Sequence, residues 1–258
     1  MTVLGKSVSL IDLSHPLGPN SSEPTSPRVE HTSHATGAEL WHHWYGVPES
    51  ALPQGLGFAG EIVTASTHAG THIDAPWHYA PTSEGEPAWK IQDVPPSWFF
   101  GPLVIVDVSD LPAATWITPH LIDQRLAILG HRIEPGDIVV FHTGAGPLWG
   151  TPEFWEHGAG LGREGVLRLV DAGVRVIGTD AWSLDRPYPI IGTEWAQLRE
   201  PERLWPAHFA GIDRRYCQIE KLARLAEVPA IGATIMCPPI KIAEAGAGWT
   251  RAVALVPN

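Results

Sequence analysis

His68, His72, Asp74 and His78 stand at i, i+4, i+6 and i+10 within the stretch STHAGTHIDAPWHYA, residues 66–80. Imidazole nitrogens and carboxylate oxygens are the common protein ligands of transition-metal ions, so the question is whether this spacing lets them converge. On a helix, His68 and His72 would share a face. Asp74 would then lie roughly 240° round from His68, at about 100° per residue, and miss the ion. Gly70, Thr71 and Pro76 also oppose a helix. In an extended chain, His72 and Asp74 fall on one face with about 6.6 Å between their Cα atoms, which suits two ligands of one ion. His68 would be roughly 13 Å from His72 on a straight strand. The chain must therefore bend at Ala69-Gly70, where glycine supplies the freedom. Pro76 then turns the chain so that His78 comes back over the site. Two imidazoles and one carboxylate leave open positions on an ion, the layout of a catalytic centre. Neutral imidazole suits zinc, and the carboxylate admits manganese. The bland alternative is a histidine-rich polar turn. Four such residues with a glycine at the required bend weigh against it.

Something rigid must hold such a cluster. Short β-branched runs predict strands at IVTAS (62–66), LVIVDVS (103–109), GDIVVFHTG (136–144), VRVIGTDAW (174–182), AIGATIM (230–236) and RAVALV (251–256). A helix is predicted over 118–130, with Thr118 as N-cap, Pro119 at its first position and Gly130 as its stop. A second covers 162–173, with Val166, Leu167, Leu169 and Val170 on one side, and LARLAE (222–227) reads as a single short turn or helix. Residues 16–58 and 183–207 keep no period and read as long aromatic excursions, of the kind that serve as lids or binding loops. There is no internal repeat and no clear boundary, so 1–258 is read as a single domain.

Composition narrows the function. The chain has 258 residues, is 44% hydrophobic and 17% charged, and carries a formal net charge of −11. That excludes disorder and offers no basic face for nucleic acid. No apolar run is long enough to span a membrane, and the first residues do not form a signal peptide. The two cysteines, Cys217 and Cys237, make no disulfide framework, which predicts a reduced, cytoplasmic protein. GAGP (144–147) and GAGLG (158–162) lack the context of a phosphate loop and read as turns. Asp180 and Asp185 read as hydrogen-bonding turn residues.

HAGTHIDAPWH, residues 68–78, matches H-x-G-T-H-x-D-x-P-x-H and resembles the motif of the cyclase-like metal-dependent hydrolases, which include bacterial kynurenine formamidases and isatin hydrolases. The stretches GDIVVFHTG, VRVIGTDAWSLD, AHFAGIDRRYCQIEKLARLAEVPA and CPPIKIAEAGAGWTRAVAL resemble later segments of that family. The resemblance implies an α/β fold of the swivelling β/β/α type, one domain with mixed sheets, assembled as a homodimer or homotetramer. It adds a His and a Glu twelve residues apart, matched here by His208 and Glu220. By resemblance, His68, His72 and Asp74 hold a first ion; Asp74, His78, His208 and Glu220 hold a second or act on water. One or two ions of Mn2+ or Zn2+ are implied.

An ion so held lowers the pKa of water toward about 7 and polarises a carbonyl. His78 or Glu220 is then expected to carry the proton to the leaving nitrogen or oxygen. The expected activity is hydrolysis of an amide, cyclic amide, imide or lactone in an aromatic or cyclic small molecule, by an enzyme like kynurenine formamidase or isatin hydrolase. The Trp-Pro-Gly-like loop often found near the family's site has no counterpart here. A segment with Trp41, His42, His43, Trp44 and Tyr45 stands in its place. Trp41, Trp44 and Trp77 are therefore expected to contact substrate. Two alternatives are a non-haem iron oxygenase, which also uses two histidines and a carboxylate, and a non-catalytic metal-binding member of the family. His208 and Glu220 argue against the first, and the complete set of six residues against the second.

Overall fold

A computed structural model describes residues 2, 3 and 5–258. Its frame is a ten-stranded mixed sheet. In chain order the strands are β1 Thr2–Val3, β2 Lys6–Asp12, β3 His72–Asp74, β4 Phe100–Asp107, β5 Ile138–His142, β6 Val176–Thr179, β7 Cys217–Glu220, β8 Ala233–Met236, β9 Ala247–Trp249 and β10 Val253–Pro257. Across the sheet they run β1-β2-β10-β8-β4-β5-β6-β7-β3-β9. The central four, β4 to β7, are parallel, and every other pairing is antiparallel.

Strand alternation divides the core in two. Leu103, Ile105, Ile138, Val140 and Val176 join Leu13, Ile73, Ile219, Ile235 and Ala254 in one buried cluster. The intervening Val104, Val106, Val139, Phe141 and Ile177 face the other way. There they meet Ile122 and Leu126 of α3 (Pro119–Leu129), Val166 and Leu169 of α4 (Arg163–Asp171) and Ala207 and Ala210 of α6 (Pro206–Asp213). Parallel strands covered on both sides need such continuous apolar runs, which is why they stood out in the sequence.

The expected helices over 118–130 and 162–173 are present, and Thr118 caps α3 through the N–H of Leu121. LARLAE contains one short 3-10 turn, Leu225–Glu227. The two excursions are less irregular than their composition suggested. Within 16–58, the strand Arg28–Thr32 pairs with Gly60–Thr64, and α1 (His34–Tyr45) lies between them. Local caps explain α1: Ser33 accepts from Thr36 N–H, and Gly46 ends the helix in the left-handed region. Within 183–207, α5 (Tyr188–Leu198) forms behind Pro187 and Pro189. Gly60–Thr64 forms where IVTAS was expected, but on this hairpin and outside the main sheet.

Candidate metal centre

The extended reading of the motif holds. His72 and Asp74 occupy β3, and Gly70 before it has φ +64, the left-handed bend that brings His68 round. Pro76 opens the single-turn helix α2 (Pro76–Tyr79), which carries His78. In register, His72 stands opposite Glu220 and Asp74 opposite Gln218 on β7. Ile73 and Ile219 between them point into the apolar cluster, so the alternate residues share the opposite face. His208 comes from α6 above that face.

All six expected ligands converge. Asp74 Oδ1 lies 3.3 Å from the Nε2 of both His68 and His72, and Oδ2 lies 3.8 Å from His208 Nε2. Glu220 approaches His72 at 3.6 Å and His208 at 4.0 Å. The His78 ring lies tilted against His68, with ring centroids 4.1 Å apart. Two triplets, His68–Asp74–His78 and His72–Asp74–Glu220, each hold their donor atoms within 4.8 Å of one another, with Asp74 common to both.

The polar atoms at the centre are buried and meet one another only at ion-pair distances. His68 Nε2, His72 Nε2 and both Asp74 oxygens make no hydrogen bond among the described residues. Such groups are costly to bury without a partner. His72 Nδ1 lies 2.8 Å from the Gly70 carbonyl, which can only accept, so Nδ1 carries a proton and, in the neutral ring, Nε2 presents a lone pair to the cluster. His208 Nδ1 is likewise 2.5 Å from Asp185 Oδ2. Lone pairs and carboxylate oxygens converging in a buried space fit a divalent cation, and a second shell of this kind is what orients metal-bound imidazoles.

Burial pushes the His68 imidazole down to about 4 and also lowers His78. Burial opposes charge on His72 and His208 too, but the carboxylates beside them outweigh it and hold both rings above the usual imidazole value. Burial, joined by repulsion from Asp74, raises Glu220. Asp74 is kept well below the carboxylate range despite its burial, by His78, His72 and His68 around it.

The centre opens into a cavity of about 130 Å³ whose walls are Trp182, Tyr188, Trp205 and Lys221. Trp205 stacks on His208 at 4.1 Å and meets His78 edge-on at 5.2 Å. Its indole N–H donates to the Tyr188 hydroxyl, which also lies 3.3 Å from Ser183 Oγ. These aromatics belong to the 183–207 excursion and the residue before it. The expected substrate-contacting residues fall elsewhere. Trp41 and Trp44 lie on α1, where they pack on the hairpin's own Tyr45 and Phe58. Trp77 is 45% exposed beneath Lys90. None of the three lines this cavity.

Of the two turn aspartates, Asp180 takes the N–H groups of Thr143, Gly144 and Gly146 and the Thr143 hydroxyl, which is a turn role. Asp185 does more. It accepts from the N–H groups of Ala207 and His208, capping α6, and holds the His208 ring. Its sequence signal was only an Asp ahead of a Pro-started helix.

Parallel strands under helices, with four imidazoles and two carboxylates gathered toward one end of the sheet, describe an α/β protein with a candidate metal centre. The Cyclase family model matches residues 11–186, and the chain belongs to that family. It is 31% identical to the kynurenine formamidase of Salinibacter ruber over 188 residues, covering 73% of this chain and 76% of that protein. It is 27% identical to the isatin hydrolase of Roseibium aggregatum over 212 residues, covering 78% and 76%. Among solved structures, an isatin hydrolase bound to the product analogue thioisatinate superposes with a TM-score of 0.75 at 22% identity, over 97% of this chain and 93% of that one. A protein described as a potential metal-dependent hydrolase with cyclase activity does so with 0.63 at 20% identity, over 98% and 100%. Among the described residues, no helix is long and apolar enough to cross a membrane.

Proposed function

We propose that this protein hydrolyses an amide, cyclic amide, imide or lactone bond in a small aromatic or cyclic molecule, with Mn2+ or Zn2+ held by His68, His72, Asp74, His78, His208 and Glu220. The observation that carries the reading is the set of buried nitrogens and oxygens, converging without hydrogen bonds among them, at the base of an aromatic-walled cavity. Its volume, about 130 Å³, is below the roughly 300–1,000 Å³ of ordinary ligand pockets, which favours a compact, flat substrate. When bound, the ion supplies Lewis-acid polarisation of a carbonyl and lowers the pKa of water.

The chain's own groups do the rest. Trp182 and Trp205 offer ring faces that orient a planar substrate. Tyr188, whose hydroxyl already accepts from Trp205, keeps its own proton to give, because burial raises its pKa well above the phenol value. His78 is kept neutral at pH 7 by burial, so with its ring off the ion it can take a proton from water and pass that same proton to the leaving nitrogen or oxygen. Glu220, raised by burial and by Asp74, is the alternative carrier of that proton, in which case His78 stays on the ion and Glu220 does not. The similarity to a kynurenine formamidase and an isatin hydrolase supports aryl amides and fused lactams as the first substrates to try.

The test is acid release in a pH-stat. Chelator-stripped protein is reloaded separately with Mn2+ and Zn2+ and offered isatin, N-formylkynurenine, a cyclic imide and an aromatic lactone. Metal-dependent acid release on at least one of them is expected. Tight metal binding with no acid release from any would refute the reading.

We also propose that the protein acts as a homodimer or homotetramer. The hairpin carrying α1 leaves Trp44, Tyr45, Ile62 and Val63 exposed, an apolar surface that a second copy could cover. Sedimentation at micromolar concentration tests this, and a monomer would refute it.

A further inference from the structure

Glu23 precedes the hairpin, far in sequence from the ligand cluster, yet its carboxylate is buried against Lys221. Lys221 Nζ donates to both Glu23 oxygens at 2.9 Å and to the His68 carbonyl at 2.8 Å. All three ammonium protons are thereby used. Glu23 Oε1 also accepts the Gly70 N–H at 2.8 Å. The pair thus grips the backbone at residue 68 and again at residue 70, across the bend that aims His68. Both ends are anchored. Lys221 directly follows the ligand Glu220, and its φ of +58 turns the chain sharply there. The segment delivering Glu23 is fastened by Ser22 Oγ, which donates to the Thr151 carbonyl at 2.9 Å and accepts the Gly150 N–H at 2.8 Å.

Stability alone is a poor reason for such a pair. Dehydrating two charges costs about as much as their attraction returns, and apolar replacements are often neutral or better. Its placement supplies another reason.

We propose that Glu23 and Lys221 form a positioning clamp that fixes the His68–Gly70 backbone, holds the His68 imidazole at the centre and so sets the affinity for the ion. The inference rests on the cluster being a metal centre. Neither residue is assigned a chemical step.

The experiment is a double-mutant cycle read by Zn2+ titration calorimetry on chelator-stripped protein, with thermal melts of the ion-free forms. The variants are Lys221→Met, His68→Ala and the two combined. Lys221→Met is expected to weaken Zn2+ binding about 10–100-fold, as loss of an outer-shell partner does. In the His68→Ala background the same substitution should change Kd by less than about twofold, since the ligand it positions is gone. A Kd for Lys221→Met within about twofold of the parent would overturn the clamp. So would an equal loss in both backgrounds, which marks a general structural role. If Lys221→Met does not melt cooperatively, Glu23→Gln, which keeps the shape and removes the charge, is read in the same cycle by the same criteria. A parent protein that binds neither Zn2+ nor Mn2+ would instead remove the metal reading itself, and the clamp's role with it.

Discussion

Replacing Asp185 by Asn tests whether the centre depends on groups behind its ligands. Asp185 Oδ2 lies 2.5 Å from His208 Nδ1, with both side chains almost wholly buried. Its Oδ1 accepts the Ala207 N–H at 2.9 Å. An asparagine can keep its one oxygen on that N–H and so still cap α6. Its NH2 group then faces His208 Nδ1. Two donors cannot meet, so the imidazole proton moves to Nε2, the nitrogen aimed at Asp74 and Glu220, and the lone pair offered to an ion is lost. Outer-shell losses at metal sites run about 10–100-fold, or roughly 1.4–2.7 kcal/mol at 1.36 kcal/mol per decade. Zn2+ titration of stripped Asp185→Asn should therefore show Kd raised about 10–100-fold, while the ion-free melt stays close to the parent's because the cap persists. Asp185→Ala should lose affinity similarly and also about 0.5–2 kcal/mol of stability with the cap. An Asp185→Asn protein that binds Zn2+ as tightly as the parent would refute the tautomer argument.

Asp74→Ala removes the carboxylate common to both donor triplets, so bound metal and hydrolytic activity should vanish together; elemental analysis beside an activity assay checks this, and a metal-loaded, active variant contradicts it. In Gly211→Ala the new Cβ would lie 2.2 Å from the Tyr79 ring, whose hydroxyl bonds the Asp74 carbonyl. Overpacking of that kind costs about 1–3 kcal/mol, and at roughly 2–4 °C per kcal/mol a calorimeter should record a clearly lower Tm. Burial pushes the His15 imidazole down to about 4 from 6.5. Between those values the unfolded chain binds a proton that the folded one refuses, so stability falls as pH drops from 6.5 to 4. Urea midpoints across that range should fall less steeply for His15→Phe, and parallel slopes would count against the assignment.

The central strands and the helices α3 and α4 were legible because buried parallel strands and amphipathic helices impose strong periods. The motif at 68–78 was legible as an extended turn because Gly70 and Pro76 exclude the helix. By contrast, Cys217–Glu220 is too short and mixed to announce itself, though it carries Glu220. His208 has no local signal at all: what makes it converge is Asp185, 23 residues earlier, on another segment. Trp41, Trp44 and Trp77 lie away from this cavity for a related reason. Aromatic residues on the 34–45 helix and on the 182–205 segment look alike in sequence. Only the docking of Trp205 on His208 and His78 brings the second set over the centre.

The register that sets His72 opposite Glu220 also has a consequence for refolding. Four of the six proposed ligands lie within residues 68–78, while His208 and Glu220 arrive only when a distant helix docks and a distant strand pairs. The unfolded chain therefore keeps a partial chelate of its own. An ion held by the proposed set would bind both states, and the stability it would confer is set by the ratio of the two affinities, less than native affinity alone implies. Ion present from the start of refolding occupies the loose chelate before the sheet can close around it. Folding the stripped chain first and supplying the ion last avoids that competition.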